Sequence, residues 1–78
     1  MAKPYNGHPS YNAWNVALWI GNDDGMYNLA REYKRSLGVM QGARAFVRDF
    51  ELDTRFRGKT PDGVRWTVTN VARAMRDL

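Results

Sequence analysis

The chain has no cysteine and a single histidine, His8. The first absence excludes disulfide staples and thiolate chemistry and fits a cytosolic protein. The second leaves a metal ion without a ligand set, since nothing can join His8 in the nitrogen-and-sulfur sites that zinc prefers. Apolar runs are short as well. The longest, Val16 to Ile20, falls far below the roughly 20 residues that cross a bilayer, and the opening MAKPYNGHPS lacks the apolar region of a signal peptide. Proline is confined to Pro4, Pro9 and Pro61, and the first two resist helix at the start of the chain.

Catalytic parts are missing too. Ser10 and Ser36 have no second histidine to activate them and no elbow motif. Asp23 and Asp24 are sequence neighbours, so they do not face one another across a site, and capping explains them better. Gly58-Lys59-Thr60 has the look of a P-loop end, but Asp53 stands where the upstream glycine belongs. No enzymatic activity and no cofactor are expected.

Acidic residues are in short supply where it matters. Residues 1–28 carry Lys3 against Asp23 and Asp24, whereas residues 29–78 carry eleven Lys or Arg against six Asp or Glu. A basic half points to an anionic partner, nucleic acid or an acidic protein surface. The plainer reading is that these side chains solvate helix faces.

What the chain does have is aromatic bulk: three Trp, four Tyr and three Phe in 78 residues. That length allows one domain with one core, and each buried aromatic removes about 150–250 Å² from water. Residues 1–10 read as an extended arm, with Asn6-Gly7 as a turn and Tyr5 as an anchor. Residues 11–21, YNAWNVALWIG, fit both periods: Tyr11, Trp14 and Leu18 share a helical face, while Trp14, Val16, Leu18 and Ile20 alternate as a strand would. A cap at Ser10 or Asn12 and a stop at Gly21 favour helix.

Residues 24–37 are a clearer helix, with Asp23 or Asp24 as N-cap, a stripe of Met26, Ala30, Tyr33 and Leu37, and Gly38 after the end. Residues 39–51 follow with Val39, Ala43, Phe46, Val47 and Phe50, interrupted by Gly42. A basic loop spans 52–66, with a turn at Thr60-Pro61-Asp62-Gly63 and a short extended piece at Val64 to Trp66. Its Arg55, Phe56, Arg57, Lys59, Arg65 and Trp66 alternate charge with aromatics, a pattern able to hold phosphates and stack on bases or, more plainly, to pin a loop to the core. Residues 69–78 close the chain as a helix capped at Thr69, with Val71, Ala72, Met75 and Leu78 on its apolar face.

The expected fold is therefore all-α: one domain over 1–78, an arm over 1–10, and four short helices at 11–21, 24–37, 39–51 and 69–78. The expected core is Trp14, Leu18, Ile20, Met26, Ala30, Tyr33, Leu37, Ala43, Phe46, Val47, Phe50, Val71 and Met75, with Trp14 as its organising side chain. Asn12, Asn15, Asn22 and Asn28 read as caps and local backbone partners, or as a polar recognition edge.

The stretch Ser10-Tyr11-Asn12-Ala13-Trp14-Asn15-Val16-Ala17-Leu18-Trp19-Ile20-Gly21-Asn22-Asp23-Asp24-Gly25, with Tyr27-Asn28-Leu29-Ala30 after it, resembles a segment shared by small proteins of phages, prophages and plasmids. Many of those carry Glu-Thr where this chain has Asn12-Ala13. The resemblance implies a mobile-element origin and a place in the cytoplasm of a bacterial host. Small proteins of that origin often act by binding, anti-CRISPR proteins among them. That context implies a non-catalytic inhibitor of a host protein or ribonucleoprotein defence complex, with Arg31, Lys34, Arg35, Arg44, Arg48, Arg55 and Arg57 as contact residues able to pair with carboxylates. The alternative is a small basic DNA- or RNA-binding phage protein.

Overall fold

A computed structural model describes residues 8–52 and 58–78. It is all-α, with α1 (Tyr11–Asn22), α2 (Asp24–Leu37), α3 (Val39–Glu51) and α4 (Val68–Arg76). The helices form a closed ring in which α1 packs on α2 and α4, and α3 packs on the same two.

Local chemistry sets the ends. Ser10 caps α1, its Oγ accepting from the Ala13 N–H at 3.1 Å. Asp23 serves two helices. Its N–H donates to the Trp19 carbonyl and closes α1, and its carboxylate accepts from the Met26 N–H at 2.9 Å and opens α2. Gly38, with φ at 81°, is the whole connection between α2 and α3, a backbone angle that favours glycine. Gly21 does not end α1, which runs on to Asn22 because the cap lies at Asp23. The α4 cap is Thr67, whose Oγ1 accepts from the Asn70 N–H, so that helix starts at Val68 and Thr69 sits inside it.

Between α3 and α4, residues 58–66 form a small hairpin. Thr60 and Val64 pair, Gly63 turns back to the Thr60 carbonyl with φ at 86°, and an antiparallel bridge joins Lys59 and Arg65. This matches the expected turn and the extended piece after it. The arm up to residue 7, Tyr5 included, and the loop at 53–57 lie outside the described residues.

The core differs from the expected one along one helix. Ile20, Met26, Ala30, Ala43, Phe46, Val47, Val71 and Met75 are buried as the periodicity indicates. On α1, however, the buried face is Ala13, Val16 and Ile20, and Trp14 and Leu18 are only half-buried outside the main cluster. Small and β-branched side chains let α2 and α4 come close; Trp14 lies about 100° further round and rests against the Tyr11 ring at 5.7 Å. The organising tryptophan is Trp66, 2% exposed, packed edge-on to Phe46 at 5.2 Å and against Phe50 at 5.1 Å. Leu37, expected inside, is 49% exposed, because its stripe outruns the core at the last turn of α2. Tyr33 and Phe50 pack at the core's edge.

Candidate functional site

The α2 and α3 backbones meet at Gly42. A Cβ there would stand 2.9 Å from the Tyr33 carbonyl oxygen, so only glycine lets the backbones approach this far. The Tyr33 hydroxyl donates to Asp49 across the same seam. That bond, with burial and the Asp49 charge behind it, raises the Tyr33 pKa above its ordinary value. Asp49 is thereby committed to Tyr33.

With the seam fixed, helical periodicity turns four arginines outward. Arg31 and Arg35 lie one turn apart on α2, Arg44 and Arg48 one turn apart on α3, and all four are exposed. Arg31 stacks over the Tyr27 ring at 5.7 Å. Arg35 pairs with Glu32, whose other oxygen accepts from the Ser36 hydroxyl at 3.1 Å. Arg44 and Arg48 have no acidic partner among the described residues. They line an open groove with Ser36, Leu37, Gln41 and Ala45, and a second depression along α2 is lined by Asn28, Arg31, Glu32 and Arg35. Exposed Leu37 and Met40, at 49% and 46%, flank the helix connection beside these cations.

Of the seven cations singled out from the sequence, Arg31 and Arg35 line the depression along α2, and Arg44 and Arg48 line the separate groove between α2 and α3. Lys34 does not join them. It is half-buried, and its ammonium donates to the main-chain carbonyl of Leu78 at 2.6 Å, tying α2 to the segment after α4. Arg55 and Arg57 lie outside the described residues.

A polar cluster that the sequence reading missed joins α1 to the hairpin. Asn15, fully buried on α1, accepts from the Thr60 hydroxyl at 2.7 Å and donates to Asp62 at 2.7 Å. Trp19 donates its indole N–H to the same Asp62 oxygen at 2.9 Å. Thr60 Oγ1 also accepts from the Val64 N–H. Asn15 and Trp19 come from the Trp-rich segment, and these two polar groups hold the hairpin, while Asn12, Asn22 and Asn28 are exposed. The signal was an Asn inside an apolar run, where only a satisfied partner makes burial tolerable. Trp66 is buried, so it is no stacking platform for bases.

No helix of the described residues is long and apolar enough to cross a membrane. No curated protein and no solved structure matches the chain. A family model covers all of it, residues 1–78, and the chain belongs to that family, DUF7249, a family of unknown function.

Proposed function

We propose that this is a non-catalytic binding protein whose α2–α3 face engages an acidic protein surface, and that its partner is a host defence complex. The observation that carries the first half is the α2–α3 groove, where exposed Arg44 and Arg48 stand with exposed Leu37, and Met40 is exposed one turn before Arg44. Arginine and methionine are enriched in protein interfaces, and a guanidinium pairs with a carboxylate through two parallel hydrogen bonds. The exposed apolar side chains favour a protein over a phosphate chain as the occupant of this face. The second half rests on the resemblance of residues 10–30 to mobile-element proteins. Inhibition of a CRISPR-type complex is its most specific form.

A plaquing assay tests both. Cells carrying one defined defence system and expressing this protein are challenged with a phage that the system restricts. Restored plaquing is expected with the native chain and lost plaquing with R44E/R48E. Failure to protect against every system rejects the defence reading. Full protection by the variant rejects the face.

A further inference from the structure

The hairpin over 58–66 alternates strictly. Gly58, Thr60, Val64 and Trp66 are buried, while Lys59 and Arg65 are exposed. The antiparallel bridge sets Lys59 directly opposite Arg65, and residues so placed have Cβ atoms about 4.5–5.5 Å apart, where like charges repel. The hairpin's one acid, Asp62, points the other way and is occupied by Asn15 and Trp19. Glu51 lies close to Gly58, yet neither Lys59 nor Arg65 has an ion pair among the described residues. The backbone that carries the two cations is also held in place. The Thr60–Val64 and Trp66–Gly58 hydrogen bonds fix the strands, and the Trp66 ring is locked between Phe46 and Phe50.

We propose that Lys59 and Arg65 form a phosphate-binding site for the backbone of a nucleic acid. The fold spends structure on keeping two like charges side by side with their acid turned away, which leaves an anion as their partner. An ammonium acts as a point charge on a phosphate, and a guanidinium grips one bidentately. The exposed residues of the hairpin itself, Lys59, Pro61, Asp62, Gly63 and Arg65, include no large apolar side chain of the kind that suits a protein surface. The site is separate from the arginine face and does not depend on its assignment. It adds a nucleic-acid contact to a protein whose proposed target class includes ribonucleoproteins.

The test is fluorescence anisotropy with labelled random-sequence single-stranded and duplex oligonucleotides at low salt. Native protein should bind at least one of them. K59A/R65A should weaken binding about tenfold, the order expected for losing a charge-assisted contact. It should also flatten the plot of log affinity against log salt by about two phosphate contacts, ~0.7–0.9 each. The swap K59R/R65K should retain binding, and R44Q/R48Q should bind close to the native level. Because it relieves repulsion, K59A/R65A should melt no lower than the native chain; should it melt lower, K59Q/R65Q, which keeps long polar side chains, is scored instead. Four results overturn the proposal: no binding by the native protein, unchanged binding by the hairpin variant, loss confined to R44Q/R48Q, or competition by polyglutamate equal to that by the oligonucleotide. The last result reassigns the pair to an acidic protein. None of the four bears on the plaquing outcome.

Discussion

Asn15 shows how much one residue can hold. It is fully buried on α1, gives its amide to Asp62 and takes the Thr60 hydroxyl. Asn15→Ala leaves Thr60, 2% exposed, with an unmatched donor, and leaving a buried donor unsatisfied costs about 1–3 kcal/mol. A total loss of about 2–3 kcal/mol in urea unfolding is expected; a change too small to resolve would show that the hairpin does not need this tie. Hydrogen bonds from Asn15 first and Trp19 second hold the Asp62 carboxyl below the ordinary carboxylate range, against a smaller opposing push from desolvation. A depressed folded pKa means that the stability from this carboxylate is present above the unfolded value, about 3.9, and is lost as pH falls through the folded one. The Asp62→Asn protein should therefore show a shallower loss of stability on the acid limb than the native chain. Equal acid limbs would contradict these bonds.

Glycine has opposite roles in two helices, and that contrast belongs to the elements. Gly21 sits in α1 with open space around its Cβ position, whereas Gly42 sits in α3 against the Tyr33 backbone. Gly21→Ala should stabilise by roughly 0.5–1 kcal/mol through helix propensity alone. Gly42→Ala gains the same propensity but must push α2 away, and overpacking of this kind costs about 1–3 kcal/mol. Thermal midpoints moving in opposite directions are the expected outcome, and a rise in both would mean that the α2–α3 seam is looser than its geometry. The sequence reading found the helices because their signals are local. Asp23, Gly38 and the stripe from Met26 to Ala30 place α2 without tertiary information, and the Phe46–Val47–Phe50 stripe does the same for α3. It misjudged α1 because apolar residues surround that helix nearly all the way round. Which face turns inward depends on what α2, α4 and the hairpin bring to it, and the sequence order of Trp14 and Val16 does not record that. Trp66 does pin its loop to the core, the plainer of the two readings, but the rings it meets, Phe46 and Phe50, were not legible because they lie in another element. The arginines of α2 and α3 were legible as a polar face, but Lys34 was not separable from them, since its partner is the backbone at Leu78.

Across the whole molecule the charge is unbalanced, +4 overall with the surplus in the second half. Among the described residues the one ion pair is Arg35 with Glu32, an exposed pair on a single helix, and such pairs add little to stability. Arg44 and Arg48 are therefore exposed with no ion pair among the described residues. If they serve the fold, removing them should hurt it. If they serve a partner, the fold should be indifferent or slightly relieved, since surface substitutions away from structural features stay within about 0.5 kcal/mol. R44Q/R48Q is expected to melt at or just above the native temperature. Added salt, which screens repulsion among exposed charges, should raise the native midpoint by more than that of the variant. In a domain of this size about 1 kcal/mol corresponds to roughly 4–8 °C, so a structural role would be plain in the melt. A drop of that order would assign these arginines to the fold and remove the α2–α3 face as a binding surface. An unchanged melt with lost plaquing protection would assign them to the partner.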